Sequence, residues 1–552
     1  MLPENFSNYI PGAGDSVQNY WNLWWLTRSF RSGDFLPYYS EMIYWPEGVT
    51  LAQHPLNLFN GWLAFALQSF GLSLVETYNV ITLLAFTLSG LSAFALCYYL
   101  TRRALPAFIG GAIFAFSPFA VHRAMVGNLS LHTLQFLPLT ALFLLLLLRT
   151  RRWVYAIGAA LSFGISFYMN LYVLLAMGLL LVMLTIAEAA RQRSAQVLGL
   201  AAAVCITGAL IGSPFLVRYA ADSVQFRDQA NQIKAARENN ADLLAFVTPD
   251  PWISFVYRQL PEVTRLAGEI RSMFFGNPAE KTVFIGLGNL IVLAVTAPFW
   301  LRSGRRWWLA ATAFFVLALG PTLYVLGRPL LDGMPYEWLN RLPMVGFGRT
   351  PSRMAMAIML CIGVLVAIGL ANVKHRAAYA ALLAMSLVAL AEVIPLPMHI
   401  DKRVAQVPLF YAAHFARLES QGAILDVPVD LWAADGPGGE YMLYQTVHGQ
   451  PIVGGYIART PRHALWPFND LPFVRALRAR IRKDREPYAF SPEVLERARA
   501  DLARLKIRYV VLHRSFLPAG DHQVVQAALQ AALGRPIHQD EWISVWDTEA
   551  QA

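Results

Sequence analysis

Residues 128–149 read Asn128-Leu129-Ser130-Leu131-His132-Thr133-Leu134-Gln135-Phe136-Leu137-Pro138-Leu139-Thr140-Ala141-Leu142-Phe143-Leu144-Leu145-Leu146-Leu147-Leu148-Arg149. A helix over the apolar run 129–148 rises 1.5 Å per residue and reaches roughly 30 Å, the thickness of a hydrocarbon core. Arg149 closes the run. Asn128, His132 and Gln135 open it at spacing i, i+4, i+7, which puts them on one stripe of a helix. A polar stripe on an apolar span is either a contact to another helix or the wall of a wet cavity.

The pattern recurs along the chain. Apolar runs occupy 77–100, 105–121, 129–148, 153–169, 171–188, 196–217, 282–301, 306–325, 353–371 and 377–396. The 552 residues are 56% hydrophobic and 14% charged, against roughly 25% charged in soluble domains. This is the composition of an integral membrane protein. The net charge of +10 is explained largely by basic residues in short loops, and no nucleic-acid motif accompanies it. Arg102/Arg103, Arg149/Arg151/Arg152, Arg191/Arg193, Arg302/Arg305/Arg306 and Lys374/His375/Arg376 fall in every second loop. Basic short loops stay cytoplasmic. That predicts an outward location for residues 1–75, the long loop 218–281, the loop 326–352 and everything after 397. An outward start with no preceding span leads to the expectation that a first transmembrane helix is missing. Met1-Leu2-Pro3-Glu4-Asn5 does not open a signal peptide. Cys97, Cys205 and Cys361 all fall in apolar runs, so no disulfide framework is expected. The middles of the spans carry almost no ionisable groups, which argues against an ion-coupled transporter.

Within 1–75, Gly12-Ala13-Gly14-Asp15-Ser16-Val17-Gln18-Asn19-Tyr20-Trp21-Asn22-Leu23-Trp24-Trp25 reads as a turn followed by a short amphipathic helix. Asp15, Gln18, Asn19 and Asn22 share one face, and Val17, Tyr20, Trp21 and Trp24 the other. Tyr and Trp favour the membrane interface. The expectation is a helix lying on the membrane and holding Asp15 above it; the alternative is that Asp15 only caps the helix. Leu56–Phe70 is too short to span and reads as a second interfacial helix.

The tail, 398–552, changes character. Runs over Ala423–Val429, Ile452–Tyr456, Ile507–Leu512 and Trp542–Trp546 are strand-like, and helical patterns alternate with them. Ser491-Pro492-Glu493 has the residues of a helix start, and Gly534 follows the end of another helix. This predicts an α/β domain.

Polar residues, Asn170 among them, gather at the outward ends of the spans. His54, His122, Arg123, Asn128, His132, Gln135, Arg349 and Arg353 are candidate substrate contacts. Guanidinium forks suit phosphate oxygens, so Arg349 and Arg353 are either phosphate ligands or headgroup anchors. In the tail, Tyr441, His448 and Arg459 lie in a polar, aromatic run that either faces substrate or packs its own domain. No Walker motif, dinucleotide loop, HExxH or nucleophile elbow is present, so a soluble nucleotide donor is not supported.

Several segments in order resemble the GT-C superfamily of polytopic glycosyltransferases, specifically its YfhO-like group. They are Gly14-Asp15 with the tryptophans after it, Ser117-Pro118-Phe119 through His132, and Leu137-Pro138-Leu139. Arg349-Thr350-Pro351-Ser352-Arg353, Tyr441–Arg459 and Ile507-Arg508-Tyr509-Val510-Val511-Leu512-His513 complete the set. The resemblance implies an α-helical polytopic membrane protein with a transmembrane domain over 76–397 and an extracytoplasmic α/β domain over 398–552. It implies a multi-pass enzyme of the bacterial plasma membrane, surrounded by membrane lipids. Such an enzyme moves a sugar from a polyprenyl-phosphate donor to an envelope glycan, lipid or protein acceptor by inverting displacement. It maps Asp15 onto the family's acidic group, acting as general base or helping to hold a divalent cation (Mg or Mn). Arg349 and Arg353 would neutralise the leaving phosphate. Asp34, Glu41, Glu47 and Asp222 compete for the role of a second carboxylate. Two other readings stay open, a flippase of lipid-linked glycans and an envelope assembly protein. Convergence of Asp15, His132 and Arg349/Arg353 on one polar cavity would favour the enzyme reading, and wide separation of these groups would weaken it.

Overall fold

The computed structural model describes residues 6–12, 15–223, 229–251, 253–341, 348–393, 402–404, 407, 409–414, 422–429, 437–461, 464, 471–482 and 490–549. Among these, five helical segments are long and apolar enough to cross a membrane: Leu74–Thr101, Leu129–Thr150 (with a break between His132 and Phe136), Leu171–Gln192, Pro351–Asn372 and Arg376–Val393. Two bent pairs, Ala104–Ala115 with Pro118–Met125 (43°) and Gln196–Ile211 with Ser213–Asp222 (68°), bring the number to seven if each is one span. The protein is a multi-pass membrane protein, mostly helical, with a small sheet near its C-terminus.

The apolar runs therefore do not all become straight spans, and the breaks have local causes. Ser117 caps the Pro118–Met125 helix through the Ala120 N–H, with Pro118 in its first turn, and Pro214 follows the bend at Gly212. Proline has no N–H to give and clashes with the turn before it. The run 282–301 is divided into Leu287–Val295 and Ala297–Trp300, with Pro298 opening the second piece. The run 306–325 is helical only over Arg305–Ala318 and then turns at Gly320-Pro321 into the strand Thr322–Val325. The run 153–169 forms the short helix Trp153–Ser166.

The central element is Ala355–Asn372, buried along almost its whole length. It crosses Ala104–Ala115 where Gly363 meets Gly110; a Cβ on Gly110 would lie 2.6 Å from the Gly363 carbonyl oxygen. Small residues let two helix backbones approach, which is how helices pack in a solvent as apolar as their side chains. A single turn of 3-10 helix, Pro351–Met354, leads into Ala355–Asn372 and carries Arg353.

The N-terminal region corrects one expectation. The helix Ser16–Arg31 does not turn its aromatic face outward to lipid; Trp21, Val17 and Tyr20 are buried by protein on one face, and so are Gln18, Asn19 and Asn22 on the other. It is packed between Leu58–Ser69 and the tail helix Gly438–His448. Trp21 is a core residue, with Trp24 and Trp25 half-buried against it; Trp21 stacks on Trp25 and donates its indole N–H to Gln445 Oε1 at 2.7 Å.

The tail sheet has four strands in the order Ala423–Val427, Ile507–His513, Ile543–Asp547, His538–Gln539. The first pair is parallel and the others antiparallel. Ser491 accepts the Val494 N–H and starts Pro492–Arg504, and Gly534 (φ +85°) follows Ala519–Leu533. Ile452–Tyr456 is not a strand of this sheet: Ile452 makes one bridge to Ile424, and the segment then runs to the N-terminal helix. On the way it meets the loop after that helix, where Ile452 N–H donates to Met42 O and Tyr44 N–H to Gly454 O.

Candidate functional site

The N-terminal helix, the ends of the spans and the returning tail segment enclose a cavity of about 510 Å³. Asp15, Asn128, Arg349, Arg353 and Arg459 all line it, as does His54.

Asp15 stands at the N-cap position of Ser16–Arg31, yet its side chain does not cap the helix. Its Oδ2 accepts from Asn128 Nδ2 at 2.7 Å and its Oδ1 from the Tyr456 hydroxyl at 3.1 Å. Asn128 is oriented by its own neighbours. As N-cap of Leu129–His132, its Oδ1 accepts from the Leu131 N–H and the Ser130 hydroxyl, which leaves its NH2 group to face Asp15. The two loops touch because Gly127 (φ +71°) has no side chain; a Cβ there would lie 2.4 Å from Ser16 Cβ. Tyr456 is fixed by Gln18, whose amide donates to the Tyr456 carbonyl at 3.0 Å. Burial, and then the Asp15 charge, push the Tyr456 phenol well above its ordinary range, so it remains a neutral donor. Each carboxylate oxygen has one hydrogen bond and keeps lone-pair capacity toward the cavity.

The arginines are held in different ways. Arg353 pairs with Glu280, Nη2 to Oε1 at 2.6 Å, and its guanidinium lies 4.6 Å from the centre of the Tyr172 ring. Glu280 also binds Arg123 Nη2 at 2.5 Å and is nearly buried. Burial alone would raise the Glu280 carboxyl, but the Arg123 and Arg353 guanidiniums prevail and hold it well below the usual carboxylate range. Arg349 Nη2 donates to the Ala458 carbonyl at 3.0 Å. Arg459 reaches Gln53 Oε1 and Gln232 Oε1, each at 3.3 Å. Burial, then the nearby Arg349 charge, lower the Arg459 guanidinium below its ordinary value. Cations placed where they repel each other mark a site that an anion stabilises.

His54 lines the cavity with both ring nitrogens engaged: Nε2 with Asn22 Oδ1 at 2.9 Å, and Nδ1 with the Ala458 N–H at 3.2 Å. Nδ1 is thus the acceptor and Nε2 the donor, so the ring is neutral. Burial pushes its pKa down to about 3. It joins the N-terminal helix to the tail segment.

Other sequence-predicted residues lie elsewhere. His132 faces the Thr82 carbonyl (3.2 Å) and the Phe86 ring. Gln135 is buried where Phe136–Thr150 begins. The stripe Asn128, His132, Gln135 presumed one continuous helix, but the chain unwinds at Thr133 (ψ 88°), so the three side chains diverge. His122 hydrogen-bonds the Ala279 backbone, and Arg123 supports Glu280 from behind the cavity. In the tail, Tyr441 donates to the Pro428 carbonyl and stacks on His513, and His448 accepts the Gln450 N–H and packs on Tyr411. Asp34, Glu41 and Glu47 are exposed and Asp222 bonds Thr50; none of the four lines the cavity.

Sequence reading misses Glu280 and Tyr172; it marks Asn170 as one of the polar residues at the outward ends, and it does not single out Tyr456 within the 441–459 run. Tyr456 follows Gly454-Gly455, a visible turn signal, but its partner is 441 positions away. Among the described residues no three His, Cys, Asp or Glu side chains are grouped to hold a metal ion. Asp15 is the lone carboxylate of the described lining and shares it with three arginines. A divalent cation there would have Asp15 as its one described carboxylate ligand, with amide and hydroxyl oxygens to complete its shell.

The fold is shared with solved membrane glycosyltransferases. The chain superposes on the arabinofuranosyltransferase AftD from Mycobacteria with a TM-score of 0.54 at 16% identity, over 99% of this chain and 39% of that one. It superposes on the oligosaccharyltransferase of Archaeoglobus fulgidus, in a complex with zinc and sulfate, with a TM-score of 0.50 at 13% identity, over 91% of this chain and 64% of that one. This chain thus spans well under half of the first protein's length and just under two thirds of the second's. At these identities the likeness shows the fold, that of the GT-C enzymes. No curated protein matches the sequence. The sequence does match one family model over residues 49–393, and the chain belongs to that family, described as a domain of unknown function (DUF6311).

Proposed function

We propose that the protein is a membrane glycosyltransferase that takes a hexosyl or pentosyl group from a polyprenyl-phosphate donor. The acceptor is a cell-envelope glycan, lipid or protein at the outer face of a bacterial plasma membrane. The observation that carries this reading is the cavity itself, which faces one carboxylate with three guanidiniums. The motif order supports placing the chain in the YfhO-like group of the fold. The alternation of basic loops supports an outward cavity and tail.

In the proposed reaction the acceptor hydroxyl oxygen attacks the anomeric carbon from the side opposite the phosphate. The C–O bond to the carrier phosphate breaks, and its electron pair leaves on a phosphate oxygen. The acceptor proton passes to Asp15, which needs only to reach the hydroxyl as that proton becomes acidic. Arg349, Arg353 and Arg459 stabilise the charge that develops on the phosphate. No step requires a metal ion.

The test is transfer from a panel of polyprenyl-phosphate sugars in proteoliposomes, read as a glycosylated acceptor and free carrier phosphate. Product formation with one donor supports the enzyme. A carrier that crosses the bilayer unchanged, with no product from any donor, sinks it in favour of a flippase.

A further inference from the structure

A second large cavity, of about 770 Å³, lies at the other end of the helix bundle. Leu171 lines the Asp15 cavity and Glu188 lines this one, and both belong to the helix Leu171–Gln192. Seventeen residues of helix separate them by about 26 Å, close to the thickness of a hydrocarbon core. The two cavities therefore face opposite membrane surfaces.

Arg149, Arg191, Arg302, Arg305 and Arg306 line the second cavity, with Glu188 as the carboxylate among them. Glu188 is nearly buried and well satisfied. It accepts from Arg191 Nη2 at 2.5 Å and Gln192 Nε2 at 2.9 Å, and Arg306 Nη1 lies 3.4 Å away. One carboxylate cannot neutralise five guanidiniums. Arg302 and Arg305 are exposed and have no ion pair among the described residues. Apart from Ser303 the rest of the wall is apolar, with Met183, Ile186, Leu309 and Ala313; Ile186 and Leu309 are 60% and 46% exposed. Topogenic charge accounts for arginines at this surface. It does not account for three separate turns delivering them to one cavity with an apolar wall.

We propose that this cavity binds an anionic phospholipid. Its phosphate is held by the guanidinium forks of Arg302, Arg305 and Arg306, and an acyl chain lies along Met183, Ile186 and Leu309. Basic pockets between transmembrane helices suit this chemistry. The assignment does not depend on glycosyl transfer at the opposite cavity.

The test measures lipid retained by the full-length protein in detergent, by native mass spectrometry, after mixing with phosphatidylglycerol or phosphatidylcholine. The wild type should retain phosphatidylglycerol in clear preference. Arg302→Gln/Arg305→Gln should retain roughly thirtyfold less of it, at about fivefold for each basic residue near a lipid phosphate. Arg302→Lys/Arg305→Lys keeps the charges without the forks and should bind between the wild type and the glutamine variant. Equal retention of both lipids by the wild type overturns the proposal, as does a glutamine variant that melts like the wild type and binds as well. Inorganic phosphate alone is added in a third arm. Displacement of the lipid by phosphate, with equal thermal protection, assigns the cavity to a soluble anion and overturns the lipid.

Discussion

Asp15 holds one donor on each oxygen, and both donors are themselves anchored: Asn128 by its cap and Tyr456 by Gln18. A carboxylate positioned this way loses little freedom when an acceptor hydroxyl arrives. Tyr456→Phe should slow transfer about tenfold, because a hydrogen bond to a charged group contributes roughly 1.5 kcal/mol; an unchanged rate would remove Tyr456 from the site. Glu280 acts from behind, neutralising Arg123 while it aims Arg353. Glu280→Gln leaves two guanidiniums without their carboxylate, and breaking such a buried pair costs roughly 3–5 kcal/mol. The variant should melt markedly earlier. Two buried histidines set the acid limit. His54 is pushed down to about 3 by burial, and His448 likewise by burial and the neighbouring His513. An unfolded histidine protonates near pH 6.5. Between those values the unfolded chain binds protons that the folded chain does not, so stability falls as pH drops below about 6.5 toward 3. Melting temperature in detergent should decline over that window, and His54→Gln should flatten part of the slope. Chelation with EDTA should leave the transfer rate unchanged, because Asp15 is the one carboxylate of the described lining and shares it with three arginines.

At the scale of elements, the site depends on two loops that meet without a side chain between them. Gly127→Ala places a Cβ against Ser16 and forces a left-handed backbone on alanine. Overpacking of this kind costs roughly 1–3 kcal/mol, and it should also part Asn128 from Asp15. Lower thermal stability together with slower transfer is the expected result, and a variant matching the wild type in both would show that the contact is dispensable. Local signals of this sort were legible in the sequence. Hydropathy marked where the apolar helices run, and Ser491-Pro492 and Gly534 marked two tail helix ends correctly. Hydropathy was blind to continuity, because Pro118, Pro214, Pro298 and Gly320-Pro321 interrupt runs whose apolar character continues through them. The tryptophans after Asp15 misled for a related reason. An amphipathic pattern shows that two faces differ, not what covers them, and here the tail helix Gly438–His448 covers one of them.

Over the whole molecule, the cavity is built from parts that lie far apart in sequence. Asp15 precedes the matched family region, Arg349 and Arg353 fall inside it, and Tyr456 and Arg459 follow it. No spacing rule reaches across 441 residues, so the Asp15–Tyr456 contact and the Glu280 clamp could not be read from local pattern. Arg349 and Arg353 could, because arginines at the end of an apolar run are unusual enough to stand out. The tail is therefore part of the site and more than an appended domain. A chain ending at 397 should have no transferase activity even if its helices assemble, and the separate tail should have none either. Activity in either fragment alone would contradict the shared cavity. The most direct test of the central claim compares wild type and Asp15→Asn for sugar transfer in proteoliposomes, at matched folding. Asparagine keeps the size, can still accept from Asn128 with its oxygen while its NH2 donates to the Tyr456 hydroxyl oxygen, and cannot take the proton. The rate should fall roughly a hundredfold or more, the usual contribution of a general base. A variant that transfers as fast as the wild type would contradict the assignment of Asp15 as the base.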